Sequence, residues 1–306
     1  MTDAAARTVA ITGASGFIGS ALVASLLADG HRVVRLVRRQ AAPGAGEVEW
    51  HPEKGTIDTS ALEGVDAVVH LAGENIDTRW TDAARRRLRE SRVEGTTLLA
   101  RTLASLSSPP EVLVSGSAIG YYGSDRGEER LDEGSTPGTD FLGRLGVAWE
   151  EAAGAAAQAG IRVVHPRCGV VLAREGGALR RMLPAFQLGG GGRLGSGRQW
   201  MSWVSRVDAI RAIRFLIDRR DLAGAVNVVA PEPVTNSVFT EELGRALRRP
   251  TLMVVPRAAL LLAFGARADG TILASQRVYP DRLLAAGFEF HHPRIDQALA
   301  AIFPRK

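Results

Sequence analysis

A chain of 306 residues, 45% of them hydrophobic, can bury a full core and hold one large domain or a large and a small one. Its formal charge of +5 rests on 38 basic residues, but 36 of these are scattered arginines, a compositional bias that argues against a nucleic-acid or membrane surface and leaves a few arginines for an anionic cofactor. A single cysteine, Cys168, excludes an intrachain disulfide, no metal-ligand spacing occurs, MTDAAARTVAITG has no signal-peptide core and no apolar run nears the roughly 18 residues of a bilayer span, so cytoplasm is expected.

The first strand, Thr8–Ile11, runs into TGASGFIGSALVASLLADG, where Gly13, Gly16 and Gly19 are spaced Gly-x-x-Gly-x-x-Gly ahead of a helix over Gly19–Asp29. The first glycine permits a tight turn, the second lets backbone amides approach a pyrophosphate, and the third allows close helix–sheet packing. A second strand, Arg32–Val37, ends in RLVRRQ. An NAD-specific protein presents a carboxylate there to the ribose; here Arg38, assisted by Arg39 or Arg35, suits a 2′-phosphate, which favours NADP(H).

Further short apolar runs at Ala67–Leu71, Val112–Ser115 and Arg162–Pro166 alternate with helical stretches at Asp82–Ser105 and Phe141–Ala159. Thr139 or Asp140 supplies the N-cap of the latter helix and Gly160 its stop. This alternation specifies an α/β fold with a Rossmann-type doubly wound parallel sheet. After Gly169 the rhythm changes. LGGGGRLGSGRQW, residues 188–200, is expected as a loop, followed by helices at Asp208–Asp218 and from Asn236 or Ser237 to Arg248, then a second apolar helix and AAGFEFHHP. The expected division is a dinucleotide-binding domain over residues 1–175, with 205–229 returning to it, and a smaller C-terminal α+β substrate domain from 176–204 and 230–306.

TGASGFIG, HLAGENI (70–76) and SGSAIGYYG (115–123) together resemble the extended short-chain dehydrogenase/reductases, the family of sugar-nucleotide epimerases and dehydratases. RWTDAARRRLRESRVEGT, LGSGRQWMSWV and APEPVTNSVFTEELGRALRRP resemble, within it, an atypical epimerase-like subfamily with a C-terminal domain of unknown function. The resemblance implies that Gly13, Ser15, Gly16, Phe17 and Ile18 line the pyrophosphate, and that Val37, Arg38 and Arg39 face the adenosine ribose and its phosphate. Leu71, Ala72, Gly73 and Ser115 would border the path toward nicotinamide. Arg92, standing where the superfamily has asparagine in Asn-Val-x-Gly-Thr, would reach the cofactor from its helix.

The resemblance also makes Ser117 the catalytic serine, yet the superfamily's Tyr-x-x-x-Lys pair is missing: its position falls on FLGRL, with Phe141 for tyrosine and Leu145 for lysine. The subfamily generally lacks the pair. Where relatives read Trp-Ile-His this chain has Trp203-Val204-Ser205, which removes a further proton donor. The remaining hydroxyls are Ser117, Tyr121 and Tyr122. A tyrosine without a lysine beside it keeps its proton near its ordinary value of about 10 and serves as donor rather than base. The expected activity is therefore NADP(H)-dependent reduction of a carbonyl or related unsaturated small molecule. The alternatives are an epimerase or dehydratase working through transient oxidation and a catalytically silent NADP(H)-binding sensor or scaffold.

Gln199, Trp200 and Met201, with the flexible glycine loop 189–197, are expected to wall the substrate pocket. Trp203 suits either that wall or the core. His70 and His291–His292 are expected to be structural, without metal-ligand spacing. A small-molecule substrate is the implied partner, with room for a homodimer and no nucleic-acid or membrane partner.

Overall fold

The segment VLVS at residues 112–115 illustrates why a sheet forms at the centre of this chain. Val112 and Val114 point into one apolar layer and Leu113 into the other, so the strand is covered on both faces. In the computed structural model, which describes residues 6–42 and 44–304, strands of this kind assemble into one large sheet. The first five residues of the N-terminal stretch read above, and Lys306, lie outside the described residues.

In chain order the strands are β1 (Thr8–Thr12), β2 (Arg32–Val37), β3 (Glu47–His51), β4 (Thr56–Ile57), β5 (Ala67–His70), β6 (Val112–Ser115), β7 (Ser117–Ala118), β8 (Asp125–Leu131) and β9 (Arg162–Cys168). The sheet runs from Gly224–Val228 through β9, β6, β5, β1, β2 and β3 to β4, with β7 also beside β9; all pairings are parallel except β3 with β4. Helix α1 (Gly19–Ala28) and the helix Arg206–Asp218 cover one face; α2 (Asp82–Ala104), α3 (Phe141–Glu151) and α4 (Gly154–Gln158) lie toward the other, with Leu99, Leu103, Ala153 and Ala156 in its core. Each fully buried Val, Leu or Ile here is worth roughly 1.5–3 kcal/mol. This is the expected Rossmann-type doubly wound sheet. A smaller C-terminal domain has its own core, including Leu183, Trp203, Phe239, Leu243 and Leu299. No helix among the described residues is long and apolar enough to cross a membrane.

Two expectations are corrected. The helix predicted over Phe141–Ala159 breaks between Glu151 and Gly154, where a glycine lowers the helical preference of an otherwise alanine-rich run. The stretch 188–200 is not a free loop. Gly192–Leu194 is a strand parallel to Met253–Val255, and Trp200–Met201 pairs antiparallel with Val234–Thr235. The glycines serve close packing: a Cβ on Gly192 would collide with the Met253 carbonyl, and one on Gly191 would lie 2.5 Å from the Phe186 ring. Leu194 N donates to Asn236 Oδ1 (2.8 Å) and Gly195 N to the Val255 carbonyl (2.8 Å), which fasten the middle of the segment.

Candidate active site

Open parallel sheets bind ligands beyond the carboxyl ends of their strands, and the residues singled out by the sequence gather at those ends of β1, β2, β5, β6 and β9. The first wall of the expected crevice is the turn from Thr12 to Gly19. Gly13 has φ +67, and a Cβ there would sit 2.8 Å from the Leu71 carbonyl, so only glycine allows the turn after β1 to press against the end of β5. Ser15 and Gly16 stay exposed at its rim. No side chain caps α1, and its first turn holds no acidic residue, which leaves the positive helix end free for an anion. These features fit a dinucleotide pyrophosphate.

Thr12, which sequence reasoning passed over, braces the cradle. Its Oγ1 accepts from the amides of Leu71 (3.1 Å) and Ala72 (3.2 Å), so its own hydrogen goes to His70 Nδ1 at 2.7 Å. The His70 proton therefore sits on Nε2, which is buried with no partner among the described residues. Burial, with the Arg92 charge assisting, holds His70 down to about 4, so it is neutral at pH 7. Between about 6.5 and 4 the unfolded chain binds this proton and the folded one does not. Stability present above pH 6.5 is thus lost as the pH falls toward 4, by roughly 3 kcal/mol. Urea unfolding across that window is expected to show this loss in the natural protein and a flatter profile in His70→Gln; identical profiles would remove His70 as the source.

At the end of β2, Val37 is half-buried and Arg38 is exposed, with no hydrogen bond to a described residue. Arg39, its neighbour, meets an acidic partner. Its guanidinium donates to the Glu47 carboxylate, Nη2 to Oε1 at 2.6 Å and Nη1 to Oε2 at 2.8 Å, a surface pair that links the end of β2 to β3. On the far side of the cradle, Phe17 packs against Gly176 and Gly177, beneath the Arg206 guanidinium at 5.2 Å. Leu71 and Ala72 are half-buried and Gly73 is exposed at the end of β5. Ser115 is fully buried and its hydroxyl finds no partner among the described residues, so it is sealed within the sheet instead of lining the crevice.

The expected catalytic hydroxyls separate sharply. Tyr122 is a core residue: its hydroxyl donates to Asn227 Oδ1 (2.7 Å) and accepts from Arg167 Nη1 (3.0 Å). Burial raises it to about 12 against the opposing pull of Arg167. Ser117 donates to Glu150 Oε1 at 2.7 Å, and Glu150 holds Arg167 through two bonds of 2.8 Å. Burial alone would lower the Arg167 pKa, but the Glu150 hydrogen bond and neighbouring charges outweigh it and the value is raised. Both hydroxyls are thus spent inside a buried network that the sequence did not disclose, since Glu150 and Arg167 stand on different elements with no motif linking them.

Tyr121 is different. It is half-buried, its hydroxyl bonds no described residue, and its ring lies flat under Arg167, with Cζ 3.4 Å from the ring centroid. The residues of α3 that face this turn are Leu142, against Gly120, and Gly146, where a Cβ would lie 2.9 Å from Tyr121 Cα. They fall one position beyond the expected Phe141 and Leu145, because the helix is phased by Asp140, whose Oδ1 caps it through Gly143 N at 2.8 Å. Phe141 packs edge-on against Trp80 instead, with ring centroids 5.4 Å apart. Neither Leu142 nor Gly146 can exchange a proton.

In the C-terminal domain, Gln199 donates to the Leu194 carbonyl (3.1 Å), Met201 packs against the smaller core, and Trp200 donates to Glu128 (2.7 Å) beneath Arg277. Trp203 is core, donating to the Glu232 carbonyl at 3.1 Å. Gln199, Trp200 and Met201 are all half-buried, and of the three the Trp200 ring offers the largest aromatic surface.

Residues 9–229 match the sequence profile of the NAD dependent epimerase/dehydratase family. The chain belongs to that family. A second profile, a domain of unknown function (DUF1731), matches residues 255–302 of this family member. It is 48% identical over 292 residues to Epimerase family protein Mb2239 of Mycobacterium bovis, covering 95% of this chain and 96% of that one. The crystal structure of human epimerase family protein SDR39U1, solved with NADPH, superposes with a TM-score of 0.88 at 36% identity, covering 96% of this chain and 98% of the human one. A nucleoside-diphosphate sugar epimerase from Corynebacterium glutamicum gives a TM-score of 0.80 at 36% identity, over 97% of this chain and 58% of that one.

Proposed function

We propose that this family member binds NADPH across the ends of β1, β2 and β5 and reduces the carbonyl, or a related unsaturated bond, of a small molecule. The observation that carries the reading is the uncommitted Arg38 at the end of β2, beside an uncapped α1 and the Gly13 turn. The human relative crystallised with NADPH supports it. The bound nicotinamide supplies a hydride to the substrate carbon, while a proton goes to the oxygen that gains charge. The backbone around Gly13–Ile18 holds the pyrophosphate, Arg38 the 2′-phosphate, and Leu71–Gly73 shield the ring from water. Tyr121, the hydroxyl left uncommitted, donates to the substrate oxygen. We place the substrate between this crevice and residues 176–204 and 230–306, and the protein in the cytoplasm, with a homodimer left open and no nucleic-acid or membrane partner.

A second reading has one observation in its favour: with Ser117 and Tyr122 both spent internally, the chain also suits a cofactor-binding protein without turnover. The loss of reduced-nicotinamide absorbance with a broad panel of aldehydes, ketones and quinones separates the two. Turnover of any member, lowered in Tyr121→Phe, supports reduction; tight NADPH binding with no turnover across the panel supports the silent protein. Epimerisation by alcohol oxidation is disfavoured, because it needs a base and the Tyr121 hydroxyl bonds no lysine or histidine among the described residues.

A further inference from the structure

Helix α2 carries two half-buried arginines that form no ion pair with a described residue. Arg85 and Arg92 lie seven residues apart, about 10 Å along the helix and close to one face. Each rests on an aromatic ring of α3, Arg85 over Phe141 at 5.4 Å and Arg92 over Trp149 at 4.9 Å. Neither has a carboxylate within 4.0 Å among the described residues; the recorded ion pair of this helix joins Arg87 to Glu74 instead. Arg85 Nε is buried with no partner. Arg92 Nη1 donates to the carbonyls of Glu74 and Leu88, both at 3.2 Å, while its Nε and Nη2 bond no described residue and are not among the sealed, unpartnered atoms.

The position of Arg92 matters as much as its freedom. Its Cζ lies 3.5 Å from where a Gly73 Cβ would be, so the guanidinium sits beside the last residue of the run proposed to shield nicotinamide. Burial lowers Arg92 to about 10, against a smaller opposing pull from Glu74, which leaves it charged at neutral pH. A largely buried cation without a counter-ion is costly, and an arriving anion removes that cost. A guanidinium resting over one ring, with its Nε and Nη2 free of described partners, can take a carboxylate or phosphate through two parallel bonds. The phosphates of a dinucleotide already have receptors at α1 and Arg38.

We infer that Arg92 anchors an anionic group of the substrate, a carboxylate or a phosphate, so that the compound reduced at this site carries an oxoanion close to its carbonyl. Arg85 supplies a second cation two turns away. The inference rests on the proposed cofactor placement, and its test separates the two. Protein saturated with NADP+ is titrated with malonate and, in a second arm, with inorganic phosphate, reading the fluorescence of Trp149, which Trp149→Phe identifies among the five tryptophans. A saturable change is expected, tighter for the anion class the substrate carries. Arg92→Gln is expected to weaken it by roughly ten- to a hundredfold, and Arg92→Lys, which keeps the charge but loses the fork, by less. Affinity for NADP+ in the same variants, with melting curves as a check on folding, is expected to stay within about threefold of the natural protein. An absent anion response, or one unchanged in both variants, overturns the inference. So does a loss of NADP+ affinity in Arg92→Gln as large as the loss of anion affinity, which assigns Arg92 to the cofactor. Failure of the natural protein to bind NADP+ defeats the cofactor placement, while malonate titration of the free protein still reports on Arg92.

Discussion

Titration with NADPH and NADH is expected to yield the tighter complex with NADPH, by roughly ten- to a hundredfold, the worth of one charge-assisted contact to the 2′-phosphate. The source is local. At the end of β2 there is no carboxylate to hold a ribose hydroxyl, Arg39 is taken up by Glu47, and Arg38 is exposed and uncommitted. Arg38→Ala is therefore expected to erase most of the preference while leaving NADH binding nearly unchanged, and Arg39→Ala to act chiefly on the stability of β3. An equal or higher affinity for NADH in the natural protein would contradict this placement, and loss of the preference only in Arg39→Ala would move the receptor by one residue.

The largest stability effect is expected at Glu150. Its carboxylate holds Arg167, whose side chain is 4% exposed, and accepts from Ser117. Removing one member of a buried ion pair leaves the other charge uncompensated, so Glu150→Ala is expected to lower the unfolding free energy by roughly 3–5 kcal/mol. Ser117→Ala removes one hydrogen bond to a carboxylate that keeps its guanidinium, a loss of about 1–2 kcal/mol. Tyr122→Phe leaves Asn227 Oδ1 short of a donor, for a loss of roughly 1–3 kcal/mol. Denaturant unfolding followed by tryptophan fluorescence reads all three. A Glu150→Ala loss no greater than that of Ser117→Ala would show that Arg167 is not held as described. Because Tyr121 lies under the same guanidinium, the Glu150 change is also expected to lower any turnover beyond its effect on folding.

Much of this was legible in the sequence because it is written in local patterns. The glycine spacing at 13, 16 and 19, the continuous apolar strands and the missing carboxylate after Val37 each follow from steric or charge rules that act within a few residues. The N-cap at Asp140 was legible for the same reason, while the break near Gly154 required weighing one glycine against a run of alanines. Residues 188–200 misled because glycine supports both loops and close packing, and only the arrival of Met253–Val255, some sixty residues later, decides between them. The Glu150–Arg167–Tyr122–Asn227 network joins four elements through side chains alone, so no spacing announces it. The same holds for the catalytic hydroxyls. Ser117 and Tyr122 had suitable chemistry at suitable positions, but their hydroxyl hydrogens are engaged by Glu150 and Asn227, partners invisible in one dimension.

The most direct test of the account is a crystal structure of the complex with NADP+. The account predicts the 2′-phosphate within roughly 2.7–2.9 Å of the Arg38 guanidinium, the pyrophosphate over the Gly13–Gly16 turn, and the nicotinamide between Leu71–Gly73 and an inward-facing Tyr121 hydroxyl. A 2′-phosphate left in solvent, or a nicotinamide with the Tyr121 hydroxyl turned away from it, would contradict the account.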